Sequence, residues 1–179
     1  HSLGVAETAV RLAKHYGADA EKAFLAGLVH DCAKEIPAEE SVRLLQETYR
    51  ITPDAMSLQM PRLLHGVLGA CIAQSRFGIY DPEILDAIRY HTTGKAKMSL
   101  LSKIIYIADY IEPNRAYRDV ESLRELTFQN LEDAMLFAVD FTVRDLVDKG
   151  RTIHPDTVHL RNDLLLQKEV LAADGKEPL

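Results

Sequence analysis

An apolar stretch that ends abruptly on two ionisable residues constrains this chain most. Residues 23–29 have the composition of a buried helix, and they run directly into His30 and Asp31. An imidazole and a carboxylate at the edge of a core are costly unless something binds them. A divalent metal ion would bind both, whereas an isolated His-Asp pair is usually only a hydrogen bond at a helix end. The metal interpretation therefore depends on further ligands elsewhere in the chain.

Apolar periodicity predicts helices throughout the chain and gives no convincing strand. The predicted helices cover about residues 1–16, 20–31, a segment starting at 37, 64–77, 82–91, 99–112, 122–149 with a break near 130, and 156–172. Residues 50–62 are predicted to be a connection with one short helical turn, and residues 150–155 a loop. The chain is therefore predicted to form a single all-α domain.

Length, charge and cysteine content narrow the class of protein. A chain of 179 residues suits one domain, and a net charge of −6 argues against a nucleic-acid partner. No apolar run reaches the roughly 20 residues that a membrane span needs, so no membrane partner is expected. Cys32 and Cys71 lie in no CxxC motif, which favours a reducing, cytoplasmic setting. We also expect residues ahead of His1 in the full chain, and a homodimer through the C-terminal helices is compatible with the pattern.

Histidines recur at the predicted helix ends, and two aspartates accompany them. The histidines are His1, His30, His65 and His91. Asp109 follows the apolar run 104–108, where an unpaired carboxylate would be expensive, although bonds to hydroxyls or amides alone would also satisfy it. Mixed nitrogen and oxygen donors suit iron, manganese, cobalt or zinc better than calcium or magnesium. The set is therefore a candidate transition-metal site.

Six ligands are too many for one catalytic ion that keeps a position open for water. Two ions bridged by a carboxylate use the set naturally. A water between two such ions becomes hydroxide near neutral pH and attacks phosphorus, while the cations stabilise charge on the phosphoryl oxygens. The ligand set therefore favours a phosphate-ester hydrolase.

The order of these ligands resembles that of the HD-domain metal-dependent phosphohydrolases. His1, His30-Asp31 and Asp109 match the family's ligand order, and His65 and His91 match its dinuclear members. Four stretches are more narrowly similar to the bacterial YqeK family of symmetrical bis(5'-nucleosyl)-tetraphosphatases: HSLGVAETA at 1–9, LVHDCAKEIP at 28–37, IRYHTTG at 88–94 and YIADYIEPNR at 106–115. The resemblance extends from the first residue to about residue 165.

The resemblance implies an HD-domain helical bundle with a di-iron centre, for which manganese or cobalt are the alternatives. It implies one ion at His1, His30, Asp31 and Asp109, with Asp31 bridging to a second ion at His65 and His91. The implied domain covers residues 1–179, with a core of about 1–115 and C-terminal helices that complete the substrate pocket. The implied reaction is symmetrical hydrolysis of diadenosine tetraphosphate and related dinucleoside polyphosphates to ADP or GDP by a metal-bound hydroxide.

Several residues are predicted to act on the substrate. Asp31 and Lys34 are the predicted catalytic residues, because Lys34 lies one turn beyond the ligand pair and can reach a metal-bound phosphate. Arg115 could fork onto a phosphate, although a solvated loop arginine is an equally good interpretation without the family. The predicted nucleotide-binding residues are His1, Lys34, Glu35, Ile36, Pro37, Thr92, Arg115, Gly150, Arg151, Thr152, Ile153, His154 and Pro155. Tyr117 is interpreted as an ordinary amphipathic tyrosine.

Two other functions remain open at this point. One is an HD-type nucleotidase or cyclic-nucleotide phosphodiesterase that acts on a smaller substrate. The other is a helical sensor that binds a nucleotide without turnover, and the full ligand set together with Lys34 counts against it.

Overall fold

The computed structural model describes residues 1–173 as a bundle of helices. These are α1 (Ser2–Tyr16), α2 (Ala20–Val29), α3 (Ala38–Arg43), α4 (Ala55–Gln59), α5 (Leu64–Phe77), α6 (Pro82–Tyr90), α7 (Leu100–Ile111), α8 (Val120–Gln129), α9 (Leu131–Asp148) and α10 (Pro155–Ala173). A π-helical turn at Leu44–Thr48 continues α3, and a 3-10 turn at Pro61–Leu63 leads into α5. No strand occurs between residues 1 and 173, and the all-α prediction is confirmed.

The end of α2 differs from its prediction. The pattern predicts a helix to residue 31, but regular helix stops at Val29. Three successive tight turns follow, in which the amides of Cys32, Lys34 and Ile36 each donate to the carbonyl three residues earlier at 2.9–3.1 Å. Tighter winding of this kind often follows a helix end. Here it places the Lys34 ammonium 2.6 Å from a carboxylate oxygen of Asp31.

Helix α7 is the centre of the core. Its residues Ile104, Ile105, Tyr106 and Ile107 are completely buried. It packs against α1, α2, α6, α8 and α9. A second, smaller apolar cluster lies beneath α3 and α5 and contains Ala33, Leu45 and Leu68. The segment that carries His30 and Asp31 therefore lies between two packed apolar clusters.

Two glycines let helices cross closely where predicted ligands must meet. A Cβ atom on Gly27 in α2 would lie 2.8 Å from the Cα atom of Ala6 in α1. A Cβ atom on Gly66 in α5 would lie 2.5 Å from the carbonyl oxygen of Arg89 in α6. Because neither position has room for a side chain, both crossings depend on glycine. The second crossing brings the start of α5 against the end of α6, where His65 and His91 lie.

The C-terminal helices complete the bundle. Leu160 and Leu164 of α10 join the main core, and the Thr157 hydroxyl donates to the carbonyl oxygen of Thr93 at 3.0 Å. The predicted domain continues to residue 179, and residues 174–179 lie outside the described part of the chain. In the described part, no helix combines the length and the apolarity that crossing a bilayer requires. The division into a core and pocket-completing helices stays a prediction.

Replacing Gly66 by alanine is expected to destabilise the fold by about 1–3 kcal/mol, because the added methyl group forces α5 away from α6. Urea unfolding followed by circular dichroism measures the change. Gln74→Ala introduces the same residue on the exposed face of α5 and should shift the free energy of unfolding by less than about 0.5 kcal/mol. Equal stability of the two variants would contradict the close crossing.

Candidate metal centre

Six predicted ligands come together at one end of the bundle. They form three sets: His1, His30 and Asp31; His30, His91 and Asp109; and Asp31, His65 and His91. Within each set, one potential ligand atom per residue lies within 4.8 Å of the others. The loop after α2, the starts of α1 and α5, the end of α6 and the last turn of α7 therefore converge on one place.

Asp31 lies between two pairs of histidines. Its Oδ2 atom is 3.4 Å from Nε2 of both His1 and His30. Its Oδ1 atom is 3.3 Å from Nε2 of both His65 and His91. A different carboxylate oxygen thus faces each pair of histidines, which is the arrangement that a bridging carboxylate needs.

Asp109 and the positively charged side chains of Arg115 and Lys34 lie beside Asp31 and its four histidines. Asp109 Oδ1 is 3.2 Å from His1 Nε2 and 4.0 Å from His30 Nε2. The Arg115 guanidinium donates to the same Oδ1 atom and, at 2.7 Å, to the backbone oxygen of Asp109. The Lys34 ammonium likewise forms an ion pair with the Oδ2 atom of Asp31, at 2.6 Å. Both predicted phosphate-binding cations therefore lie directly against predicted metal ligands.

Hydrogen bonds behind the rings fix which nitrogen faces the centre. Nδ1 of His30, His65 and His91 each donates to the carbonyl oxygen of the residue three positions earlier. A ring that carries its proton on Nδ1 leaves a lone pair on Nε2, the form that ligates a metal. His1 differs, because its Nδ1 atom lies 3.3 Å from a carboxylate oxygen of Glu112. Sequence reasoning missed Glu112, whose one signal is its place in the segment that follows Asp109.

Burial and charge set the protonation of the centre. Burial lowers the pKa of His91 more than the neighbouring Asp31 carboxylate raises it, which favours the neutral ring. Burial would raise the pKa of Asp31, but the imidazoles of His30, His65 and His91 and the Lys34 ammonium around its carboxylate together hold that pKa far below its usual range. The centre therefore combines a carboxylate anion with a neutral imidazole, the states that bind a divalent cation.

Two buried atoms at the centre have no hydrogen-bond partner within the described residues. They are His30 Nε2 and Asp31 Oδ1. Leaving such an atom unpaired costs about 1–3 kcal/mol. Since both atoms are potential ligands and the donor set mixes imidazole nitrogen with carboxylate oxygen, the residues fit a divalent cation.

A cavity of about 300 Å³ opens beside the cluster. Its lining residues are His91, Thr92, Asp109, Tyr110, Arg115, Tyr117 and Phe141. Tyr117 stacks on Phe141 with ring centroids 5.6 Å apart, and its hydroxyl donates to the carbonyl oxygen of Tyr110 at 3.0 Å. The interpretation of Tyr117 as an ordinary amphipathic tyrosine is therefore incomplete, because this residue also lines the cavity. Phe141 was missed because an aromatic residue on an amphipathic helix resembles a core position.

Thr92 and His154, two of the remaining predicted nucleotide-binding residues, line this cavity or its neighbour. Thr92 Oγ1 is 3.0 Å from His91 Nε2. His154 lines a smaller neighbouring cavity of about 70 Å³ that also includes Thr92. The other predicted residues, which the structure does not place among the described lining of either cavity, are Glu35, Ile36, Pro37, Gly150, Arg151, Thr152, Ile153 and Pro155. Their contact with a nucleotide stays a prediction.

Comparisons with known proteins agree on one family. The HD domain family model matches residues 1–114. The symmetrical bis(5'-nucleosyl)-tetraphosphatase of Halalkalibacterium halodurans is 42% identical over 169 residues, which are 94% of this chain and 89% of that protein. The Bacillus subtilis protein of the same name is 41% identical over 88% of this chain and 83% of its own length.

A solved structure is also similar. It is a crystal structure from Clostridium acetobutylicum, described as a predicted HD superfamily hydrolase involved in NAD metabolism. It is 45% identical to this chain, and the superposition has a TM-score of 0.91 over 93% of this chain and 88% of that one. The similarity therefore includes the helices that follow residue 114.

Replacing Asp31 by asparagine is expected to abolish binding at both metal positions. A neutral amide cannot supply a charged oxygen to the ion beside each pair of histidines. Calorimetric titration of metal-stripped protein with Mn²⁺ measures the stoichiometry. Asp148→Asn, at the exposed end of α9, is the control for loss of one carboxylate. If Asp31→Asn still binds two ions with undiminished affinity, the bridging role is wrong.

Proposed function

The chain belongs to the HD-domain family and, within it, to the symmetrical bis(5'-nucleosyl)-tetraphosphatases, and we propose that it cleaves diadenosine tetraphosphate and related dinucleoside polyphosphates into two nucleoside diphosphates. The observation that carries this proposal is the Asp31 carboxylate between two histidine pairs, 3.3–3.4 Å from each. Three relatives named symmetrical bis(5'-nucleosyl)-tetraphosphatase are 37–42% identical over 88–94% of the chain. The expected products are two ADP, or two GDP from the guanosine analogue.

The HD fold binds divalent metal, and the ions proposed here are two iron ions, with manganese or cobalt as alternatives for the same donors. His1, His30, Asp31 and Asp109 would hold one ion, and Asp31, His65 and His91 the other. When bound, such ions activate a water molecule for attack on phosphorus and offset charge on the phosphoryl oxygens.

Lys34 and Arg115 are suited to hold the phosphate chain. Their side chains are 48% and 38% exposed, so each can reach a ligand as well as its carboxylate partner. The Arg115 guanidinium can donate two parallel hydrogen bonds to one phosphate, whereas the Lys34 ammonium acts as a point charge. The Thr92 hydroxyl, beside His91, can donate a further hydrogen bond to a phosphate oxygen. These groups bind and orient the chain of phosphates against the cluster.

The cavity has the size to hold one nucleoside of the substrate. A volume of about 300 Å³ is at the lower end for ligand pockets and suits one half of the substrate rather than the whole. The stacked rings of Tyr117 and Phe141 provide an apolar face on which a base can stack. The other half of the substrate then extends away from this cavity, and the segments 34–37 and 150–155 remain its predicted contacts. Cleavage between the two halves gives two equal products.

The proposed setting is the cytoplasm. Cys32 and Cys71, the cysteines of this chain, both lie in the described part and are free thiols. Free thiols persist in reducing compartments, where stable disulfides are rare. A homodimer through the C-terminal helices stays a prediction.

Product analysis tests the reaction. Anaerobic incubation of the Fe²⁺- or Mn²⁺-loaded protein with diadenosine tetraphosphate should consume one water and release two ADP per substrate. AMP plus ATP would contradict symmetrical cleavage. Turnover of nucleoside monophosphates or cyclic nucleotides alone would favour the smaller-substrate hydrolase, and binding without any product would favour the sensor.

Replacing Phe141 by alanine is expected to raise KM for diadenosine tetraphosphate about 5- to 150-fold with little change in kcat, since base stacking contributes about 1–3 kcal/mol. Steady-state kinetics measure both constants. Phe137→Ala is a matched control, because Phe137 lies one turn earlier on α9, is 37% exposed against 42% for Phe141, and is outside the described lining of the cavity. Equal KM values for the two variants would place the base elsewhere.

A further inference from the structure

We propose that Glu112 is a positioning residue that orients the His1 ring toward the metal centre and ties it to the segment that carries Arg115. This inference rests on the proposed function for the role of His1 as a metal ligand. It adds a residue for which neither sequence motif nor spacing predicted a role.

The Glu112 side chain is only 2% exposed, at the end of α7. Its Oε1 atom is 3.3 Å from Nδ1 of His1. Its Oε2 atom accepts hydrogen bonds from the backbone amide of Asn114 at 2.8 Å and from the Asn114 side chain at 3.1 Å. Because an ionised carboxylate can only accept, the proton of the His1 ring is held on Nδ1. The lone pair on Nε2 then faces Asp31 and Asp109 at 3.4 and 3.2 Å.

The acceptor behind His1 differs in kind from those behind the other three histidines. His30, His65 and His91 each donate to a neutral backbone carbonyl three residues earlier. Glu112 instead supplies a charged acceptor from a different helix. A charge-assisted hydrogen bond is stronger than a neutral one, and a carboxylate behind a ligating imidazole raises its basicity. The His1 contact is longer, at 3.3 Å against 2.5–2.7 Å for the other three rings, but its acceptor is charged.

Gly4 provides the space that this contact needs. Glycine inside a helix costs about 1 kcal/mol relative to alanine, so its presence in α1 calls for a reason. A Cβ atom at Gly4 would lie 2.8 Å from Glu112 Oε2 and 3.4 Å from Cδ of Pro113. The carboxylate can move aside only by giving up its hydrogen bonds from both Asn114 donors. Gly4 therefore keeps the Glu112 carboxylate within reach of His1.

The same carboxylate connects the metal centre with the proposed phosphate-binding arginine. Arg115 Nε lies 3.9 Å from Glu112 Oε1. Arg124 donates to the carbonyl oxygens of Glu112 and Arg115 at 2.8 and 3.1 Å, which fixes the backbone of this segment. A change at Glu112 should therefore affect both the ion beside His1 and the hold on substrate.

The isosteric substitution Glu112→Gln tests the proposal. Metal-stripped full-length chain is titrated with Mn²⁺ by calorimetry. One of the two sites should weaken 10- to 100-fold, the usual effect of removing a contact behind a metal ligand, while the other site and the thermal unfolding midpoint stay unchanged. Glu125→Gln removes the same charge from an exposed position on α8 and should match wild type.

Gly4→Ala is a second, independent variant that leaves every charge in place. Its added methyl group should displace the carboxylate and weaken the same Mn²⁺ site, although alanine favours the helix. Wild-type affinity at both sites in both variants would overturn the proposal, and so would equal weakening of both sites together with a lowered unfolding midpoint. A wild-type chain that binds no Mn²⁺ would overturn both this inference and the proposed function. Two bound ions without hydrolysis would overturn the proposed function alone.

Discussion

The arrangement of the whole centre depends on one buried anion, the Asp31 carboxylate, which is shared by four imidazoles. His65 and His91 illustrate the constraint, because their Nε2 atoms lie 3.0 Å apart while their Nδ1 atoms already donate to backbone carbonyls. Two lone pairs that face each other at this distance repel, and neither ring has a second proton to offer while both are neutral. A cation beside the carboxylate removes the repulsion. The same argument applies to His30, whose buried Nε2 atom has no hydrogen-bond partner among the described residues.

The helices and their order were predictable because periodicity and capping are local properties. The six candidate ligands were also found from the sequence, since ionisable side chains stood out at the ends of apolar runs. Glu112 and Phe141 were missed for a physical reason. Their contacts with His1 and Tyr117 join residues far apart in the chain, and neither residue type is unusual in its local setting. The end of α2 was misplaced by two residues, because the tight turns after Val29 continue the winding of the helix and no glycine or proline marks a stop before Pro37.

Glycine links the packing of the bundle to the chemistry of the site. Gly27 and Gly66 let helix pairs approach until a Cβ atom would lie 2.5–2.8 Å from backbone atoms of the neighbouring helix. Each lies close to a candidate ligand, since the carbonyl of Gly27 accepts a hydrogen bond from the His30 ring and Gly66 directly follows His65. Ligand spacing is therefore set by helix crossings rather than by flexible loops. Rigid elements hold such a constellation more precisely than loops do.

The pairing of Lys34 with Asp31 and of Arg115 with Asp109 also explains how a centre rich in carboxylates accepts a polyanionic substrate. Carboxylates alone would repel a tetraphosphate chain. Each cation lies against a carboxylate and keeps an exposed face, so a phosphate can bind it without separating the pair. Asp31 and Asp109 are also proposed ligands for the ions. The negative charge of each carboxylate would therefore be balanced by a metal ion on one side and by Lys34 or Arg115 on the other. With both ions bound, the phosphate chain would meet positive charge from the ions, Lys34 and Arg115 at one place, which favours its binding against the cluster.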